Sequence, residues 1–445
     1  MAGTVPLVLF AWIPIVFALF FLLPVRRAVL AACVGGWLLL PEATYHIEGA
    51  LPDYGKVTAT CLVPLAAAAI FAPRRLLALR PTWIDFPIVV WCLCPFASSL
   101  SNGFGPYDGI AGVIDHLISW GAPYLLGRAY LAEPEGLNDL VVAIFLGGAL
   151  YIAPCLLEIF RGPVLHQTIY GFAATEPQLP RALGWRPVVF LRTGLAVAMW
   201  MVTASIAGLW LTRSRRWTGP ASRLLVGAVL VTTVLTQSFN AWVLLPLGSV
   251  VVVWSLRPGR ADRRLPRWLP LLILLAIPVT YAGGRAAMFV TGRSLVPLVA
   301  AIDRERASSI EYRIESETRL ISRARARFWF GWGKWGVATV NAPLGQFGTV
   351  RDSMWIIAFG DHGWFGLGSF FLLLLLPTLT VWQRKPLAEW AEPEVAPAGL
   401  LGLIVALFAI DCCFNAMPNP AYLLAAGAVL GFASAQPVPA RSSEA

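Results

Sequence analysis

An aspartate and a serine stand side by side in Val350-Arg351-Asp352-Ser353-Met354-Trp355, where a long basic segment meets an apolar run. A carboxylate next to arginines has the make-up of a general base beside an anion site. The carboxylate takes a proton, and each guanidinium offers a planar fork to phosphate oxygens. Two further stretches supply the arginines: Arg181-Ala182-Leu183-Gly184-Trp185-Arg186-Pro187, and Glu311 through Lys334, which holds Arg313 and Arg319. Asp411, in Ile410-Asp411-Cys412-Cys413, and Arg192, in Phe190-Leu191-Arg192-Thr193, lie within apolar runs. An ionisable group at mid-bilayer costs about 2.5–3.5 kcal/mol on the insertion scale, so each is either helix–helix glue or the wall of a site. Both stand close to the expected outer end of a span.

Other chemistries find no support in the residue patterns. Gly331-Trp332-Gly333-Lys334-Trp335-Gly336 formally matches GxGxxG, but no strand-helix-strand unit surrounds it, and its glycines read as a tight turn. There is no HExxH, GxSxG or P-loop motif, and His46, His116, His166 and His362 are dispersed. Cys33, Cys61, Cys92, Cys94, Cys155, Cys412 and Cys413 fall in apolar runs without a CxxC pair, which reads as packing. We therefore expect no metal and no cofactor.

The elements that must position these groups are membrane helices. With 58% hydrophobic and 13% charged residues and a mean hydropathy of +0.70, a water-soluble fold would expose too much apolar surface. Apolar runs recur over 6–23, 28–40, 57–72, 83–100, 110–126, 140–160, 188–211, 224–236, 241–256, 268–282, 364–382, 399–414 and 421–433. The expectation is an all-α, polytopic transmembrane helical bundle of about 11–13 spans forming one membrane domain over residues 1–445. The first run lacks a basic flank before it and a small-residue cleavage site after it, so it reads as a retained span.

Arginines cluster in short loops at alternate connections: Arg26/Arg27, Arg74/Arg75/Arg80, Arg128, Arg213/Arg215/Arg216/Arg223, a group from Arg257 to Arg267, and Arg384/Lys385. These loops are expected on the cytoplasmic side. That topology accounts for most of the net charge of +10, and nucleic acid is not an expected partner. A first outer loop over 161–187 and a large outer loop over 283–352 then face the other side. The larger is arginine-rich, as loops beyond about 60 residues are permitted to be. Within it, Ser308-Ser309-Ile310-Glu311 reads as a capping box. It leads an amphipathic helix with Ile310, Ile314, Ile321, Ala324 and Phe328 on one face, lying at the outer membrane surface.

In this order the motifs resemble the O-antigen ligase and O-antigen polymerase superfamily of bacterial envelope glycan assembly. Arg181, Gly184, Arg186 and Pro187 resemble its first outer motif. Arg313 through Phe330-Gly331-Trp332-Gly333 resembles its arginine, amphipathic helix and glycine turn. Asp352-Ser353 followed by Gly363-Trp364-Phe365-Gly366 resembles its paired polar residues and Gly-x-x-Gly. The resemblance covers roughly 181–420. It implies metal-independent glycosyl transfer from a polyprenyl-pyrophosphate-linked oligosaccharide to a saccharide or lipid acceptor, at the periplasmic face of the bacterial inner membrane and among membrane lipids.

By that resemblance Asp352, Arg313 and Arg186 are the catalytic set. Arg181, Arg192, Arg319, Lys334, Ser353 and Asp411 contact substrate. Ligases of the family usually carry histidine where Asp352 stands, so the aspartate points to a polymerase. Many members have an arginine where this chain reads Gln237-Ser238-Phe239-Asn240. The rival readings are a transporter or flippase of lipid-linked saccharide, which predicts inverted repeats and midplane charges, and a non-catalytic scaffold of an envelope glycan assembly complex.

Overall fold

The computed structural model describes residues 4–46, 53–175, 180–214, 216–255, 269–291, 295–301, 304–333, 351–385 and 389–435. Its architecture is all-α, with Thr44–Tyr45 and Tyr54–Gly55 paired as a minimal antiparallel ribbon. Apolar runs adopt helix because a backbone in lipid must satisfy its polar groups within the segment. Among the described residues six helices are long and apolar enough to cross a membrane: Thr4–Leu22, Trp83–Ser101, Pro134–Arg161, Gly194–Arg213, Leu269–Ala286 and Met354–Arg384. Shorter apolar helices, Lys56–Phe71, Pro220–Leu235, Ala396–Asp411 and Pro420–Ala435 among them, pack between these.

Small residues let the helices close on one another. A Cβ on Gly127 would lie 2.1 Å from the Leu424 carbonyl oxygen, and one on Gly427 would lie 2.1 Å from that of Tyr124. The helices Ala122–Tyr130 and Pro420–Ala435 thus meet backbone to backbone, the packing that membranes favour when no water drives association.

Polar contacts define the two ends of the bundle. At one end, Arg26 pairs with Glu135 and Asp139, Arg75 with Glu133, and Arg128 with Asp85 at 2.9 Å. There too Arg216 donates to the Pro393 carbonyl and Arg384 to that of Ala433. At the other end, Lys56 bridges Glu42 and the Phe190 carbonyl, and Glu158 accepts from the amides of Leu165, Val188 and Val189. Among the described residues the short arginine loops thus collect at one end and the motif residues at the other, while the group from Arg257 to Arg267 lies outside the described residues.

Three expectations are corrected. The run over 188–211 becomes helical only from Gly194, because Pro187 precedes it, Glu158 captures two of its amides and Val189 has φ 54. Arg192 therefore stands on a turn that leads into this helix, not within it. The surface helix runs Arg304–Arg325, so Ser308 lies inside it rather than capping it; Arg304, Glu305, Arg306 and Ala307 are all good helix formers and carry the helix upstream. The helix expected at 364–382 begins at Met354 and is broken at Gly363, with φ 65 and ψ −156.

Candidate functional site

The surface helix packs onto the bundle rather than floating on lipid. Ile314, Leu320, Ile321 and Ala324 are buried, and so is Glu317 in the middle of the same face. Glu317 Oε1 accepts from Ser353 Oγ at 2.8 Å and Trp355 Nε1 at 3.1 Å, while Oε2 accepts from Tyr281 at 3.1 Å and Arg285 Nη2 at 3.2 Å. Donors from the Leu269–Ala286 helix and the start of the Met354–Arg384 helix therefore converge on one carboxylate. Burial pushes the Glu317 carboxyl above its ordinary range, and the Ser353, Arg285, Trp355 and Tyr281 donors pull it back in part.

One turn back along the surface helix, Arg313 reaches the residue beside Ser353. Its Nη2 lies 3.4 Å from Asp352 Oδ2, and its Nη1 donates to the Phe414 carbonyl at 3.2 Å. Both side chains of the pair are more than a third exposed, at 36% and 41%, which leaves the pair open to exchange with a solute. Ser353 is the N-cap by backbone but makes no cap bond, since its hydroxyl is turned to Glu317. The amides of Met354 and Trp355 instead donate to the carbonyls of Asn415 and Cys412. That contact joins the Asp352 turn to the end of the Ala396–Asp411 helix.

Asp411, 1% exposed, closes the other side of this junction. Its Oδ1 accepts from Asn415 Nδ2 at 2.7 Å and from Asn240, while Oδ2 is buried without a hydrogen-bond partner among the described residues. Gln237, a short way before Asn240, braces the first outer motif: it accepts from the Leu183 amide and from Arg181 Nη1, and donates to the Gly184 carbonyl. The Gln237-Ser238-Phe239-Asn240 segment thus ties the Arg181 turn to Asp411 with neutral amides. The Arg186 stem packs over Gly194, where a Cβ would come within 2.3 Å of it. Arg192 is exposed and has no side-chain partner among the described residues, next to Thr193, whose hydroxyl reaches Met417 Sδ at 3.2 Å.

The glycine turn and the helix break form one unit. The amides of Trp332 and Gly333 donate to the carbonyls of Gly360 and Asp361, and those of Trp364 and Phe365 donate to Phe328 and Trp329. Gly331 and Gly363 both have positive φ, and a Cβ on either would lie 2.4 Å from the opposing backbone. Arg323 stacks on Trp332 at 3.7 Å. Arg351 is held by Asp361 at 2.6 Å, with both side chains buried.

Of the residues singled out from sequence, Asp352, Ser353, Arg313 and Asp411 come together around the 411–415 turn, and Arg181, Arg186 and Arg192 lie at the same end. Arg319 is spent on Glu315, at 2.9 Å on its own exposed helical face. Lys334 lies outside the described residues. Among the described residues no cluster of three or more histidine, cysteine, aspartate or glutamate side chains is arranged for a metal ion, and the cysteines are buried and free. Sequence reasoning passed over Glu317, Arg285, Tyr281, Asn240 and Asn415. Glu317 carried a usable signal, since it falls on the stripe set by Ile314 and Ile321.

Comparison of the chain with protein-family models and with curated proteins finds no match.

Proposed function

We propose that this membrane protein transfers a glycosyl group from a polyprenyl-diphosphate-linked oligosaccharide to a saccharide or lipid hydroxyl at the outer face of a bacterial inner membrane. The product class is O-antigen or exopolysaccharide, with polymerisation favoured over ligation. The observation that carries this reading is the Arg313–Asp352 pair, exposed at one end of the bundle and braced by Glu317 through Ser353.

The pair supplies the two groups such a transfer needs. The acceptor oxygen attacks the anomeric carbon as the bond from that carbon to the diphosphate oxygen breaks. The electron pair leaves with the diphosphate, and the hydroxyl proton passes to Asp352. Arg313, with Arg186, Arg181 and Arg192 at the same end, offsets the charge that develops on the leaving group. Without substrate, Arg313 neutralises Asp352. An incoming diphosphate competes for the guanidinium through a better-matched fork, which leaves the carboxylate free to accept a proton only when substrate is present.

The test is polymer formation in membranes from a strain lacking the endogenous protein, with Asp352→Ala and Arg313→Ala at matched expression. Loss of the base is expected to lower transfer by about 10²–10⁴-fold, and loss of the arginine by about 10²–10³-fold, with single-repeat product retained. Normal polymer from both variants would overturn the proposal and move transport of the lipid-linked saccharide ahead of it.

A further inference from the structure

We propose that a cavity at the opposite end of the bundle from Asp352 binds the headgroup of an ethanolamine phospholipid. The cavity has a volume of about 710 Å³, within the range of small-molecule sites. Arg26, Arg74, Arg75, Glu133 and Glu135 line it, together with Phe71 and Tyr130. Charges of both signs therefore face one space.

Two of the arginines are already matched. Arg75 pairs with Glu133 at 3.2 Å and Arg26 with Glu135 at 3.6 Å. Arg74 is exposed and makes no side-chain hydrogen bond or ion pair among the described residues. An occupant thus meets one unmatched guanidinium and, close by, two carboxylates whose second oxygens have capacity to accept. This asks for an anion and a cation on one short frame. Phosphate suits the arginine fork. A primary ammonium brings three donors to the carboxylates, whereas a quaternary ammonium brings none. A purely anionic headgroup would have to sit against both glutamates.

The position selects a lipid over a free phosphomonoester. Phe71, 40% exposed, and Leu77, 84% exposed, flank Arg74 and Arg75 at this end of the bundle, so apolar surface for acyl chains begins where the charged cavity opens. The proposal does not depend on the activity assigned to the opposite end.

The full chain, placed in nanodiscs of equal parts ethanolamine, choline and glycerol phospholipid, is released into a mass spectrometer under native conditions and its retained lipid counted. Ethanolamine lipid is expected to be retained over the other two. Arg74→Ala is expected to lower that retention about tenfold, the loss of a charge-assisted contact, and Arg74→Lys to restore much of it as a point charge. Because Arg74 is exposed and its side chain is unbonded among the described residues, the variants are expected to melt with the wild type. Equal retention of all three lipids, preference for the anionic lipid, or unchanged retention in Arg74→Ala would overturn the proposal. So would displacement of the bound lipid by inorganic phosphate as effectively as by glycerophosphoethanolamine, which would mark a simple anion site.

Discussion

Glu317 accepts from four donors, one of them the 2% exposed Arg285, so removing it strands a cation in the protein interior. Glu317→Ala is expected to destabilise the protein by about 3–5 kcal/mol, the usual consequence of breaking one side of a buried pair. Thermal unfolding in detergent measures it, and a variant that melts with the wild type would show that the node is not structural. The same residue gives a pH dependence of defined sign. Burial raises its carboxyl above the unfolded value, so the folded state holds that proton more tightly. Its contribution to stability is greatest below the unfolded value of about 4.3 and declines as pH rises through the raised folded value. Glu317→Gln, which keeps the shape and removes the titration, is expected to flatten the melting profile across that interval; an unchanged slope would place the titrating group elsewhere. Residue types singled out Arg313 and Asp352, which the fold brings together as an ion pair, yet spacing alone did not separate Glu317 from the solvent-facing Glu311 and Glu315. The Asn240–Asp411 contact left no trace in the sequence, because it joins helices whose register depends on packing.

Most elements were legible from their apolar runs, since a backbone in lipid has little choice but helix. What was not legible was where those helices break. Trp364 looked like the start of a span because Asp361 and His362 interrupt the apolar run, whereas the helix begins at Met354 and only Gly363 leaves helical geometry. The break is stabilised by the 328–333 turn, a partner remote in sequence, through amides exchanged in both directions. That closeness makes the two glycines irreplaceable in a way their motif only hints at. Gly363→Ala and Gly331→Ala each add a Cβ about 2.4 Å from backbone at a positive φ. Strain of this kind costs on the order of 1–3 kcal/mol before the collision is counted. Each substitution is expected to release the turn, make the surface helix sensitive to limited proteolysis and lower the proposed polymer formation together with it. A variant that keeps protease resistance would show that the turn and the break are not one unit.

Across the whole molecule, arginine is plentiful at both ends and meets carboxylates at both; what differs is the length of the connections that carry it. At the Asp352 end, Arg285, Arg351, Arg313 and Arg319, four of the basic residues of the long segment, each face a carboxylate from Glu317, Asp361, Asp352 or Glu315. At the other end the arginines sit in short connections beside the spans, where they resist translocation most strongly. The difference predicts an orientation with Asp352 outside and the short arginine loops inside. All the native cysteines are buried, so single introduced thiols report cleanly. Thr168→Cys, exposed on the Leu165–Tyr170 helix of the Asp352 end, is expected to react with a membrane-impermeant maleimide in intact spheroplasts. Arg223→Cys, exposed near the start of Pro220–Leu235 at the opposite end, is expected to react only after the membrane is opened. The reverse pattern would put Asp352 and Arg313 on the cytoplasmic side and remove the ground for transfer at the outer face, whatever the two residues do there.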